Sequence, residues 1–298
     1  MTLTRPPFFV VGAQRSGTTM LRLMLQQHSE LCVPFESAFI PEFYHRQAEF
    51  GDLAREANMA ELLSEICQNP FVKKGELVPD PSAVLGRDPQ SYAELIHAIF
   101  SELASRQHKP RWGDKTPGYE EEINLLWELF PGCDFVHLVR DGRDVAGSLR
   151  SLPWGSRDLI KSARDWSWKV QLGRKMGSMI PGHYIEVHYE DLVRQPRETL
   201  RRICGFLDSP FEETMLNYPD SARKEMPAAS LSWHQSSINA PNIDKVQAWR
   251  RTMSHADQIV FDQVAGQTLE LFGYERTPLK PTFGSRIKAA RYRLFGTA

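Results

Sequence analysis

The feature that most constrains this chain is an apolar run, Phe8-Phe9-Val10-Val11, that passes directly into Gly12-Ala13-Gln14-Arg15-Ser16-Gly17-Thr18-Thr19 and then into Met20, Leu21, Leu23, Met24 and Leu25. A β-branched and aromatic run without polar alternation predicts a strand buried on both faces. The apolar residues beyond the turn predict a helix ending near His28. Strand, Gly-rich turn and helix in this order form a phosphate-cradling loop. The glycines let successive N–H groups point at one anion, and the helix N-terminus adds its positive dipole end. The lysine of the nucleotide-triphosphatase pattern is missing, because Thr18 stands in its place, while Arg15 puts a cation earlier in the loop. Alone, such a turn serves structure as often as binding. Hydroxyls at Ser16, Thr18 and Thr19 beside Arg15 favour an oxyanion held between Gln14 and Thr19, with Gly17 at the bend.

The rest of the chain repeats the alternation. Further strands are predicted at 31–33, 135–139 and 184–187, and helices at about 120–129, 143–149, 158–176, 196–207 and 258–272. The predicted fold class is α/β, with a central, mostly parallel sheet flanked by helices and a P-loop-like turn after the first strand. Residues 41–110 are more polar and helical, with amphipathic segments at 53–66 and 92–103. Between them, 69–89 is rich in Pro, Gly and charge and reads as a long surface connection. The domain reading is one unit over residues 1–298, with a helical insertion at about 41–110 and a basic tail at about 276–298.

Composition narrows the classes. With 41% hydrophobic and 24% charged residues, the chain is neither disordered, collagen-like nor a disulfide scaffold. A net charge of −1 provides no global field for nucleic acid, so an anion site must be built locally. Cys32, Cys67, Cys133 and Cys204 lie far apart without a C-x-x-C pair, which argues against zinc and disulfides and for a reducing compartment. The first residues, Met1 to Pro7, do not read as a signal peptide, and no apolar run approaches the ~18 residues of a membrane span. The expected location is cytoplasmic.

A second anion site is predicted where residues 135–139 end in Arg140-Asp141-Gly142-Arg143-Asp144. An arginine at the carboxyl end of a strand lies at the edge where open α/β sheets bind ligands, and its fork suits a phosphate. Ser148, roughly two helical turns further on, adds a hydroxyl. The alternative is an Arg140–Asp144 surface or capping pair. Glu36, after the second strand, belongs to the same sheet edge, either as a general base or as a helix-start carboxylate. Apolar neighbours there would raise its pKa. Lys115, in Trp112-Gly113-Asp114-Lys115-Thr116-Pro117, is either a site cation or part of a surface turn.

These motifs together resemble the sulfotransferases that use 3′-phosphoadenosine 5′-phosphosulfate (PAPS). Arg-Ser-Gly-Thr-Thr after a hydrophobic strand is similar to their 5′-phosphosulfate loop, and Arg140 with Ser148 to their 3′-phosphate motif. The resemblance implies a single α/β domain, PAPS as co-substrate, 3′,5′-adenosine bisphosphate as product and no metal, and the insertion at about 41–110 is read as shaping the acceptor pocket. In the protein tyrosine sulfotransferases a base glutamate falls 21 residues after the loop arginine, the separation of Glu36 from Arg15 (36 − 15). Cytosolic sulfotransferases instead place a histidine two residues after a lysine, where this chain has Pro117, and His108 is off that motif. Glu36 is therefore the expected base. Lys115 resembles the lysine on the donor's bridging oxygen, with Asp114 orienting it, and Arg15 shares the catalytic charge.

The resemblance further implies donor contacts from Tyr189, in His188-Tyr189-Glu190-Asp191-Leu192, and from Ser236, Ser237 and Lys245, with Trp249 as the core residue of that segment. Glu190 and Asp191 also read as helix-start acids. The rival functions are a kinase-like or NTP-hydrolysing enzyme on the same loop, and a non-catalytic nucleotide-binding protein. The acceptor stays open: a small-molecule, carbohydrate, lipid, peptide or carrier-bound hydroxyl. The tail, with Lys280, Arg286, Lys288, Arg291 and Arg293, reads as a solvated basic helix, with peripheral membrane contact as the alternative.

Overall fold

The computed structural model describes residues 5–224, 226–227, 230–231, 237–277 and 284. Strand β1, Phe8–Val11, is wholly buried and leads into helix α1, Thr18–Gln26, and strand β2, Leu31–Cys32. The helical segment follows as α2 (Ile40–Arg46), α3 (Glu56–Gln68), α4 (Pro70–Gly75), α5 (Pro81–Leu85) and α6 (Tyr92–Arg106). The chain then runs through β3 (Arg111–Lys115), α7 (Ile123–Leu129), β4 (Asp134–Val139), α8 (Gly142–Arg150), α9 (Leu159–Gly177) and β5 (Tyr184–His188). Helices α10 (Tyr189–Arg194), α11 (Pro196–Phe206), α12 (Tyr218–Ala222), α13 (Trp249–Thr252) and α14 (His255–Leu271) complete it.

The five strands form one parallel sheet in the order β2-β3-β1-β4-β5. The α/β reading therefore holds. Alternation along β1 divides the core. Phe8 and Val10 face the apolar side of α1, α10 and α11, while Phe9 and Val11 face α2, α3, α6 and α7. Trp112 on β3 anchors the second layer, stacked 4.6 Å from the Phe100 ring. A third cluster joins Val139 at the end of β4 to α8, α9 and α14 through Trp166 and Phe261.

Two sequence expectations change. The surface connection over 69–89 contains α4 and α5, capped by the Asn69 and Asp80 side chains, which accept from Phe71 N and Ala83 N. More consequentially, the Trp-Gly-Asp-Lys stretch is not a surface turn. It is the buried strand β3, paired with β1 and β2. Gly113 is required there, because a Cβ would sit 2.5 Å from the Phe8 ring. The strand was hard to read because its charges lie inside, each meeting a partner.

From β1 the chain leaves toward β2, and from β4 it leaves toward β5, on the opposite side. The carboxyl ends of these neighbours are thus the switch point at which open α/β sheets place ligands.

Candidate active site

The loop after β1 is shaped by close approach. Gly12 has φ 152°, and a Cβ there would lie 2.5 Å from the Leu138 carbonyl oxygen. Gly17, at φ 96°, runs against the Tyr189 ring, where a Cβ would come within 2.4 Å. Arg15 itself is left-handed at φ 70°, a conformation that non-glycine residues adopt mainly at tight functional turns. Ser16 is fully buried and its Oγ has no hydrogen-bond partner, although Ser16 N donates to Ala13 O. Thr18 and Thr19 open α1, whose first residues carry no acid. An unoffset positive dipole end therefore faces the loop.

Across the switch point, Arg140 leaves the end of β4. Its Nη1 donates to Arg15 O at 3.1 Å and its Nη2 to Lys245 O at 2.9 Å, while its guanidinium lies 4.2 Å from the Tyr189 ring centroid. Its own carbonyl accepts from Trp166 Nε1 at 3.0 Å. Arg140 forms no ion pair with Asp144, which instead accepts from Trp249 N at 2.7 Å. Burial pushes the Asp144 carboxyl up to about 6. Arg140 Nε is buried without a partner. Ser148, in α8, accepts from Arg15 Nε at 3.0 Å, so the two expected anion motifs meet in one place. Burial, then the neighbouring Arg140 charge, lowers the Arg15 pKa, as expected for two cations held together for an anion.

The third part is a buried ion pair. Lys115, the last residue of β3, is fully buried and donates to Glu36 Oε1 at 2.5 Å and to Thr19 Oγ1 at 3.3 Å. Burial is the main cause lowering its pKa, opposed by Glu36. The expectation of an apolar setting for Glu36 is corrected: a lysine ammonium faces its carboxylate. The expectation that Asp114 orients Lys115 is corrected too. Neighbours on a strand point to opposite faces, and the Asp114 carboxylate bonds to Ser37 and Thr116 instead.

These groups line one cleft of about 660 Å³. Gln14, Arg15, Gly17, Thr18, Thr19, Glu36, Arg140, Ser148, Tyr189, Ser237 and Lys245 all border it, whereas Ser16 and Lys115 are fully buried and do not line it, Lys115 being joined to it through Glu36. Tyr189 starts α10 with Glu190 and Asp191 in the first turn, as the sequence predicted. Ser236 and the basic residues of the tail fall outside the described residues. Sequence reasoning gave no site role to Met20, Phe35, Phe71, Lys74, Pro117 and Trp154, which also line the cleft. Phe71 and Lys74 come from α4, inside the segment taken for a plain connection, and no spacing marks them. Among the described residues no three His, Cys, Asp or Glu side chains group as a metal site, and no helix is long and apolar enough to cross a membrane.

A parallel sheet whose switch point carries a phosphate-cradling loop, with a second arginine beside it, defines a class of α/β proteins built to hold an anion at that sheet edge. A sulfotransferase family model matches residues 6–213, and the chain belongs to that family. It is 25% identical over 291 residues to protein-tyrosine sulfotransferase A of Caenorhabditis elegans, covering 94% of this chain and 70% of that protein. Among solved structures it is similar to the sulfotransferase domain of the Synechococcus PCC 7002 olefin synthase, with 25% identity, a TM-score of 0.64, and 92% and 97% of the two chains covered. The sulfotransferase domain of the curacin biosynthetic pathway shares the fold, with a TM-score of 0.66 at 21% identity over 93% and 100% of the chains. The chain is thus a PAPS-dependent sulfotransferase.

Proposed function

We propose that this chain moves the sulfuryl group of PAPS to an acceptor hydroxyl by a single in-line displacement, with Glu36 as the base. The observation that carries the reading is Lys115. Its ammonium touches the Glu36 carboxylate at 2.5 Å and the loop hydroxyl of Thr19 at 3.3 Å, so the base and the donor loop share one buried cation.

The residues fit the donor. The buried, unpartnered Nε of Arg140, a residue that borders the cleft, is a polar group that a bound oxyanion would satisfy. When bound, the donor supplies a sulfuryl group on a phosphosulfate anhydride and leaves as 3′,5′-adenosine bisphosphate. The backbone N–H groups of 15–19 and the hydroxyls of Ser16, Thr18 and Thr19 hold the 5′-phosphosulfate, with Gln14 at the loop's edge. Arg140 and Ser148 hold the 3′-phosphate, Tyr189 lies against the nucleoside, and Ser237 and Lys245 close over the phosphates. Arg15 and Lys115 stabilise charge on the transferring group and leaving oxygen. Glu36 accepts the acceptor's proton as the oxygen attacks.

No step calls for a metal. The four cysteines are free thiols, which favours a reducing, cytoplasmic setting. The acceptor enters along Phe35, Phe71, Lys74 and Trp154, a wall suited to a small-molecule, carbohydrate, lipid or carrier-bound hydroxyl. A transfer screen with sulfur-labelled donor in EDTA, against carbohydrate, lipid, phenolic and peptide acceptors, tests the reading. Label should reach a hydroxyl without magnesium, and Glu36→Gln should abolish transfer while keeping affinity for the bisphosphate. A strict magnesium requirement would favour the kinase-like alternative, and near-normal turnover in Glu36→Gln would remove Glu36 from the role.

A further inference from the structure

The segment that carries Glu36 is held by an unusual arrangement. Ala38, two residues on, is left-handed at φ 53°, which costs a non-glycine residue free energy unless its surroundings impose it. The surroundings are hydroxyls from the segment just after β3. Thr116 Oγ1 accepts from Ser37 N at 3.1 Å and Ala38 N at 3.2 Å, and Tyr119 Oη accepts from Ile40 N at 3.3 Å. Both hydroxyls must keep their lone pairs turned toward these amides, so their protons must point elsewhere.

The protons run to Asp114. Ser37 Oγ donates to Asp114 Oδ2, and Thr116 Oγ1 lies 3.4 Å from both carboxylate oxygens. Tyr119 Oη is 3.1 Å from Ser37 Oγ, whose own proton is already committed, so the tyrosine is the donor there. A carboxylate has no proton to give, so it forces every hydroxyl to donate toward it. That leaves three acceptor sites for the 37–40 backbone. Asp114 is fully buried and adjacent to Lys115, so one strand end holds the ammonium on one face and orders the base-bearing segment from the other.

We infer that Asp114 is a positioning residue for the reaction, acting through Ser37, Thr116 and Tyr119 to hold Glu36 at its contact with Lys115. This rests on Glu36 and Lys115 acting as proposed above. The charged groups that act on Asp114 are Lys115 and Glu36, and the neutral Tyr119 phenol lies nearby on Ser37. Burial pushes the Asp114 carboxyl up to about 6, and the hydrogen-bond directions above are those of its ionised form.

The test uses Asp114→Asn and Thr116→Val, with Thr116→Ser as the conservative control. An asparagine amide must donate toward one of the hydroxyls, which reverses the order. Misplacing a reacting group by about 1 Å costs on the order of 100-fold in rate. The expected result is a kcat loss of roughly that size in Asp114→Asn and in Thr116→Val, with affinity for 3′,5′-adenosine bisphosphate and donor KM within about threefold of the parent. The two substitutions together should cost little more than either alone, because they break one chain. Thr116→Ser should keep most of the rate. Should Asp114→Asn fail to fold, Thr116→Val against Thr116→Ser carries the same contrast. Parental kcat in Asp114→Asn or Thr116→Val, with an inactive Glu36→Gln, would overturn this inference alone. Additive losses, or losses of nucleotide affinity equal to those in kcat, would show a merely structural role. An active Glu36→Gln would instead overturn the catalytic reading on which it rests.

Discussion

Replacing Lys115 by methionine isolates what its charge does. The ammonium is fully buried, bonded to Glu36 Oε1 at 2.5 Å and Thr19 Oγ1 at 3.3 Å, and lies 5.9 Å from the Phe35 ring centroid. Methionine has a similar length and flexibility, so it fills the site without the cavity that alanine would leave. At about 4 Å and an effective dielectric near 20, two unit charges interact by roughly 4 kcal/mol. The leaving phosphate gains only part of a charge in the transition state, and removing a single oxyanion donor elsewhere costs about 2.7–4 kcal/mol. A loss of about 3 kcal/mol, or on the order of a hundredfold in kcat, is expected. The bisphosphate should bind nearly as before, because the backbone loop and Arg140 remain. Some fold stability should be lost as well, since the Glu36 carboxylate keeps its mostly buried place without the close cation. The assay is single-turnover transfer of labelled sulfate at saturating donor, beside calorimetric titration of the bisphosphate. A kcat within threefold of the parent would refute the reasoning. So would an affinity loss as large as the kcat loss, because Lys115 would then act in ground-state binding.

Three further outcomes follow from the same geometry. Arg140→Lys loses the two-pronged grip on the Arg15 and Lys245 carbonyls. It should weaken 3′,5′-adenosine bisphosphate by about 1.5–3 kcal/mol while barely changing adenosine 5′-monophosphate, as read by parallel titrations. Equal losses for both ligands would take Arg140 off the 3′-phosphate. Gly17→Ala must place a Cβ 2.4 Å from the buried Tyr189 ring at φ 96°, so it should cost roughly 1–3 kcal/mol of stability in urea melts and most of the nucleotide affinity. His137, buried under α9, has its pKa depressed from 6.5 to about 4 by burial, so the unfolded chain takes up a proton that the native imidazole refuses. Stability should therefore fall as pH drops from about 6.5 to 4, and His137→Gln should flatten that slope; an unchanged slope would contradict it.

Much of the cleft was legible because it is built from chain-local features. The Gly12–Thr19 turn, the strand ending in Arg140, Ser148 on the next helix and Tyr189 after the last strand each follow a recognisable element. Glu36 was legible by its separation from Arg15, but its partner was not. Lys115 and Asp114 sit in a strand with three charges in five residues, which by composition reads as a turn. Only pairing with β1 and β2 shows that both charges are buried and that alternation sends them to opposite faces. The rest of the cleft lining was illegible for a different reason. Phe71 and Lys74 are brought to the cleft by the packing of α4, and tertiary packing leaves no period in sequence.

The measurement that bears most directly on the central claim is calorimetric titration of the unmodified chain with 3′,5′-adenosine bisphosphate in EDTA, beside ATP with magnesium. A site built from Arg15 and the loop on one side and Arg140 and Ser148 on the other should bind the bisphosphate without metal and more tightly than ATP. Absence of bisphosphate binding, or tighter binding of magnesium-ATP, would contradict the account.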